Sequence, residues 1–229
     1  MLETLVTKKV SVVLRPIMIT KTTESQERIV SKAHELFMRY GIRSVSMDEV
    51  ANHLGMSKKT IYQFYADKDA LVEDVITIEI TGKQFECKQH RQKSENAIHE
   101  IFMATDMLLE LLTHMNPALI FDLEKYHPKA FKKYNEHKNS FLYTLIKENI
   151  DWGKKEGLYR EEVMADIMAR FRLASVFLIF DPEHFPNSKH AVPVLVTEIT
   201  DNFLYGLASA KGQKLIQKYK QQRLKTITL

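Results

Sequence analysis

The chain has 229 residues, 45% hydrophobic and 27% charged, an ordinary balance for a folded protein and one that excludes a disordered chain. Seven Gly and six Pro are few against an average usage of about 7% and 5%; tight β-turns consume Gly, so a strand-rich fold is hard to build from this composition and an all-α fold is expected. The net charge of +4 is modest but uneven, because six basic residues and no acid follow from Lys211 onward.

The first residues contain VSVVL, interrupted by Arg15 and Pro16 and followed by no small-residue cleavage site, so they are read as neither signal peptide nor anchor. Residues 1–23 are either a flexible basic arm or, in part, an extension upstream of a start at Met18. Deleting residues 1–17 is expected to leave folding intact.

Helix signals begin at TESQ (Thr23 to Gln26), a capping-box pattern, with Ile29, Ala33, Leu36, Phe37 and Tyr40 following at helical spacing. Gly41 ends that helix. SMDE repeats the capping pattern at Ser46 and Glu49, and Met47, Val50, Ala51 and Leu54 form one face before Gly55. Ser57 caps a short segment, SKKTIYQFY, and Asp67 opens a long helix through Leu71, Val72, Val75 and Ile76. Cys87 is the one cysteine; it excludes an internal disulfide framework, fits a reducing, cytoplasmic compartment, and reads as a buried small apolar residue.

Ser94 is expected to cap a helix reaching about His114, and the Asn116–Pro117 and His127–Pro128 pairs each place Pro in a first turn. One helix is expected from Lys129 to Trp152, another from Glu161 to Phe180, and a last one from Ala191 to Ala210 after the loop DPEHFPNSKH. The longest apolar run, LASVFLIF at 173–180, is far below the ~20 residues a bilayer requires. Residues 211–229 read as a basic tail, either solvated and frayed or in contact with nucleic acid or another acidic surface. The expected whole is a three-helix unit joined by a long fourth helix to a bundle of five or six more.

Two short helices separated by LGMS, with Ala51 small at the crossing, Gly55 at the turn and Ile61 returning to the core, have the spacing of a helix-turn-helix. The second helix starts with Lys58 and Lys59, where the dipole disfavours cations. Lys58, Lys59, Thr60, Tyr62 and Gln63 make its outward face, and Lys68 adds a cation beside it. That chemistry suits phosphates and base edges better than solvent.

The stretch from Glu27 to Ile76 resembles the N-terminal domain of the tetracycline-repressor (TetR) family of transcriptional regulators. The resemblance rests on Phe37, Tyr40 and Gly41 at the end of the first helix, on Ser57, Thr60, Ile61 and Tyr62 in the recognition helix, and on Phe64, Tyr65 and Lys68 beyond it. Two departures are the Phe64-Tyr65 order of the aromatic pair and Asp67 where Ser often stands. It implies that Ser46 and its backbone N–H bind a phosphate, that Lys58, Thr60 and Tyr62 work in the major groove or on its flanks, and that Lys68 clamps the backbone. Ser57 and Lys59 complete the candidate DNA-binding set.

The rest of the chain matches the family in pattern, at ALIFDLEKYHPKAF and DWGKKEGLYREEV. The implied division is a DNA-binding domain at 24–76, with its motif at about 47–66, and a ligand-binding and dimerisation domain at 77–210. The implied partners are double-stranded operator DNA, a second copy docked through about 161–181 and 190–210, and a small-molecule effector. No cofactor, metal or membrane is expected.

The implied function is a ligand-released repressor. The alternative is an α-helical enzyme or ligand-binding protein with an incidental helix-turn-helix. The nine His are scattered, with no His-x-x-x-His pair beside acids, and neither a phosphate loop nor a nucleophile elbow occurs, so no catalytic residue is assigned. Met103, Met107 and Met115 read as core, or as the wall of a pliable apolar pocket. Arg172, inside an apolar helix, is expected in a buried ion pair or facing outward, with pairing to an acidic effector as the sharper possibility.

Overall fold

The computed structural model describes residues 24–180, 184–185 and 191–227. The arm at 1–23, the Thr23 cap and most of the loop at 181–190 lie outside the described residues, as does the Lys225 side chain. Among the described residues the fold is all-α, with one antiparallel bridge between Tyr159 and Ala208.

Three short elements build the N-terminal unit: α1 (Glu24–Tyr40), α2 (Met47–Leu54) and α3 (Lys58–Phe64). α1 buries Ile29, Val30, Ala33, Leu36 and Phe37. Tyr40, expected on that face, is instead 46% exposed and lies beneath the Arg39 guanidinium. Gly41 and Gly55 take φ of 82° and 64°, the left-handed conformation that lets the chain turn out of α1 and α2 without a Cβ clash. Asp67 caps α4 (Lys68–Lys93) by accepting the Ala70 N–H at 2.8 Å. α4 buries Leu71, Val72, Val75 and Ile76 against α1, and Cys87 further along. Burial pushes the Cys87 thiol up to about 11, so it is a packing residue and a poor nucleophile at neutral pH.

The remaining elements are α5 (Ala97–His114), α6 (Leu119–Tyr126), α7 (Pro128–Glu136), α8 (Tyr143–Lys155), α9 (Ala165–Phe177), α10 (Val192–Leu207) and α11 (Ala210–Ile227). Pro128 opens α7 as expected. Four expectations are corrected. Asn96, whose side chain accepts the His99 N–H, caps α5, while Ser94 closes α4. The helix expected from Lys129 to Trp152 is α7 and α8 joined by a π-helical stretch, His137–Leu142. The helix expected from Glu161 starts at Ala165, because the preceding residues leave the helix for the Tyr159–Ala208 bridge and the Arg160 N–H bonds to the Leu207 carbonyl.

The fourth correction is at the C-terminus. The expected basic tail is an amphipathic helix docked on α5, with Ile216 fully buried and Tyr219 buried. Its cations bond to the bundle: Arg223 to Asp106, Lys220 to Asp201, and Lys211 to the Glu156 carbonyl.

Two cores result. One is shared by α1–α4 and reaches Leu119 and Leu123 of α6 and Ala130 of α7; the other is built by α5, α8, α9, α10 and α11. On the outside of α9, Met164, Ile167, Phe171, Ala174 and Leu178 are exposed at alternating spacings of three and four residues. Val192, Val194 and Tyr205 of α10 are exposed apolar residues as well.

Among the described residues Arg172 has no ion pair, and it does not face outward. It is 6% exposed, its Nη2 donates to Thr200 Oγ1 at 2.9 Å, its guanidinium lies 5.1 Å from the Phe203 ring centre, and Nη1 has no hydrogen-bond partner among the described residues.

Candidate nucleic-acid interface

The helix-turn-helix is α2 and α3, and local sequence explains its geometry. Ser46 adopts an extended conformation and accepts the Glu49 N–H at 3.2 Å, while Glu49 Oε2 accepts the Ser46 N–H at 2.6 Å and the Ser46 hydroxyl at 2.9 Å. This is the capping box that SMDE predicts. The Ser46 bonds hold the Glu49 carboxyl below the usual carboxylate range. Both Ser46 donors therefore already have a carboxylate partner in the free protein.

Ala51 and Ile61 are buried where the two helices cross, and the Gly55 and Met56 N–H groups close the end of α2 on Asn52 and Ala51 carbonyls. Ser57 caps α3 by accepting the Thr60 N–H at 3.1 Å, and the Ser57 and Thr60 hydroxyls stand 2.8 Å apart. This leaves Lys58, Lys59, Tyr62 and Gln63 exposed on one surface, with Thr60 half-buried beneath them. Lys59 makes no ion pair among the described residues, and no acid occupies the first turn of α3.

Lys58 has a partner that its own helix does not reveal. Its Nζ lies 2.8 Å from Asp48 Oδ1 across the two helix N-termini, and the hydrogen bond to Asp48 raises the Lys58 pKa. Lys58 also sits 5.9 Å from the Tyr62 ring centre. Asp48 thus answers, in the free protein, the question posed by a cation at a helix N-terminus.

Lys68 is less free than its sequence position suggests. It is half-buried and donates to the Ile42 carbonyl at 2.6 Å, tying the start of α4 to the loop that precedes α2. Desolvation lowers its pKa, opposed by the charges of Asp122, Glu49 and Asp69. The Tyr65 hydroxyl, the family departure, donates to Asp74 Oδ2 at 2.5 Å, and Gln26 Nε2 donates to the same oxygen at 3.4 Å, so it links α1 to α4.

The sequence reading misses three residues that connect this unit to the bundle. The Asn116 N–H donates to the Met38 carbonyl at 2.7 Å and its side chain to the Arg39 carbonyl at 3.3 Å. Asp122, buried on α6, accepts the Arg43 N–H at 2.8 Å. His127, buried between α6 and α7, has Nδ1 2.6 Å from Asp69 Oδ1 in the first turn of α4. The separations of 58 to 79 residues explain the omission; the one sequence signal is Asp122, an acid set between the apolar Leu119 and Leu123 of α6.

No group of three or more metal-ligating side chains occurs among the described residues, and none of their helices is long and apolar enough to cross a membrane.

Residues 29–75 match the family model described as bacterial regulatory proteins, tetR family. Over 192 residues the chain is 26% identical to the HTH-type transcriptional regulator YvaF of Bacillus subtilis, covering 80% of this chain and 95% of that one. It is 24% identical to the HTH-type transcriptional regulator YhgD of the same organism, covering 76% and 93%. Among solved structures, a transcriptional regulator from Saccharomonospora viridis in complex with choline superposes with a TM-score of 0.70 at 18% identity, covering 81% of this chain and 98% of that one. The fatty acid degradation regulator FadR from Bacillus halodurans does so with 0.63 at 14% identity, covering 80% and 96%. At these identities the structural likeness is one of fold.

Proposed function

We propose that this chain, whose residues 29–75 match the model of the tetR family of bacterial regulatory proteins and which is similar along most of its length to HTH-type transcriptional regulators, is a DNA-binding transcriptional regulator of that family, a repressor acting in the cytoplasm as a homodimer on a palindromic operator and released by a small-molecule effector. The observation that carries the DNA-binding part is the α3 surface: Lys58, Lys59, Tyr62 and Gln63 are exposed together at a helix start without an acid in its first turn. Phosphates supply the negative charge that this helix end lacks.

Ser46, Ser57, Lys58, Lys59, Thr60, Tyr62 and Lys68 are the residues proposed to meet the duplex. Ser46 engages a phosphate by exchanging the Glu49 carboxylate for it, and Lys58 by exchanging Asp48. Lys68 holds the Ile42 carbonyl with one N–H and has further N–H groups for the backbone of the duplex.

The proposed dimer uses α9 and α10. Its support is the exposed stripe of Met164, Ile167, Phe171, Ala174 and Leu178, whose alternating spacing is that of a helix-to-helix seam. A second copy repeats the stripe about a two-fold axis and presents two α3 helices to two half-sites. The proposed division is a DNA-binding unit at 24–76 and an effector and dimer unit from 77 onward, with α11 as part of the latter.

The test is fluorescence anisotropy on a palindromic duplex from upstream of the protein's own gene, titrated across salt concentration. The logarithm of the affinity is expected to fall linearly with the logarithm of salt concentration, with a steep slope, and Lys59→Ala and Tyr62→Ala are expected to weaken binding while leaving the circular dichroism spectrum unchanged. Equal affinity for the palindrome and for random duplex would overturn the proposal.

A further inference from the structure

Arg172 sits on the inward face of α9, opposite Thr200 and Phe203 of α10, and is 6% exposed. Buried guanidinium groups ordinarily meet a carboxylate, because an unpaired charge in a low-dielectric interior is strongly unfavourable. No ion pair to Arg172 occurs among the described residues, and the Phe203 ring is a partial substitute.

The donors and acceptors around it do not balance. Arg172 Nη1 is buried with no hydrogen-bond partner among the described residues. Thr200, 2% exposed, spends its oxygen as the acceptor for Nη2, and no acceptor among the described residues takes its hydroxyl hydrogen. Tyr159, whose charge interaction with Arg172 shows it to be near, donates its own hydroxyl hydrogen to Asn149 Oδ1 at 3.2 Å. Desolvation lowers the Arg172 pKa to about 10, so the group remains charged at neutral pH.

A buried cation with two unmatched donors at one place lacks a ligand with two acceptor atoms and a negative charge. Phe203, whose ring faces the guanidinium, belongs to the same buried apolar core as Ala169 of α9 and Leu204 of α10.

We propose that Arg172 and Thr200 form the seat for the carboxylate of an anionic, otherwise apolar effector. One carboxylate oxygen accepts from Arg172 Nη1 and the other from the Thr200 hydroxyl. The inference rests on the effector reading above and gives that effector a chemical class. It also separates this chain from a relative holding choline, because a quaternary ammonium placed against Arg172 is repelled.

The experiment measures thermal unfolding of the full-length protein with acetate, octanoate and palmitate, and with octanamide, choline and inorganic phosphate as controls. At least one carboxylate is expected to raise Tm saturably, by about 5 °C or more near 100 times its Kd, while octanamide and choline leave it unchanged. Arg172→Met and Thr200→Val are each expected to weaken that carboxylate at least about tenfold. The ligand-free Arg172→Met protein is expected to melt no lower than wild type, since an unpaired buried charge has been removed.

A shift from phosphate but from none of the carboxylates makes the site one for an inorganic anion and overturns the proposal. So does the absence of any shift, or undiminished carboxylate binding by both variants. The same carboxylate is then added to the operator complex: binding to the protein without DNA release leaves the seat standing and removes the effector reading, so the two failures are distinct.

Discussion

Lys58 is paired with an acid of its own protein, and under the proposed function the phosphates of a duplex compete for it, a competition that is measurable. Replacing Asp48 with Asn frees Lys58 and removes a carboxylate from the proposed DNA-facing surface; operator affinity is expected to rise by about threefold to tenfold at moderate salt, by anisotropy. Lys58→Ala is expected to reduce the salt slope by about 1, the loss of one phosphate contact, with Tm unchanged because the pair is exposed. The capping box gives a pH dependence. Glu49 has a pKa below its unfolded value, so its contribution to stability is full above the ordinary carboxylate range and is lost as pH falls through the lowered folded pKa. Amide exchange at Ser46 N–H is expected to be protected at neutral pH and to lose that protection, relative to the rest of α2, in acid. Glu49→Gln is expected to weaken the protection at neutral pH already. The caps at Ser46, Ser57 and Asp67 and the turns at Gly41 and Gly55 were legible in sequence because their partners lie within a few residues. The Asp48–Lys58 pair spans ten residues and a turn, and only the crossing of α2 and α3 brings it together.

At the scale of elements, α11 shows how composition misleads. Six basic residues without an acid read as a tail, yet Leu215, Ile216 and Tyr219 occupy one side of a helix, and the long cations reach past it to acids and carbonyls of the bundle. The Tyr219 hydroxyl donates to Glu95 Oε2 at 2.9 Å and accepts from Asn96 Nδ2 at 2.8 Å, so α11 ties down the start of α5. Ile216→Ala is expected to lower stability by about 2–5 kcal/mol in a denaturant titration, as for other fully buried large-to-small changes. Gly212→Ala tests the docking geometry, because a Cβ there meets the Leu158 carbonyl oxygen at 2.1 Å, a backbone atom that yields only if α11 shifts. The π-helical stretch between α7 and α8 had no sequence signal of its own: His137, Asn139, Ser140 and Phe141 are weaker helix formers that mark no particular helix type, and the extra residue per turn reveals itself only in backbone hydrogen bonds.

At the scale of the whole molecule, the exposed stripe on α9, the proposed dimer seam, allows folding and assembly to be tested separately. Phe171→Asp is expected to leave the circular dichroism spectrum and monomer fold unchanged, to yield a monomer in size-exclusion chromatography with light scattering, and to reduce operator affinity by about 100-fold or more through loss of the second half-site. An all-α chain with a helix-turn-helix near its start was legible from Gly and Pro counts and from helical periodicity. The way its parts interlock was not, because Asn116, Asp122 and His127 act across 58 to 79 residues. Those three residues, with Leu119, Leu123 and Ala130 in the N-terminal core, bear on chimera construction. A chimera that joins this helix-turn-helix to a relative's bundle at residue 77 severs a core rather than a linker, and leaves Met38, Arg39 and Arg43 with foreign partners. A working graft carries residues 24–76 together with residues 116–131, so the exchangeable module is discontinuous in sequence though contiguous in space.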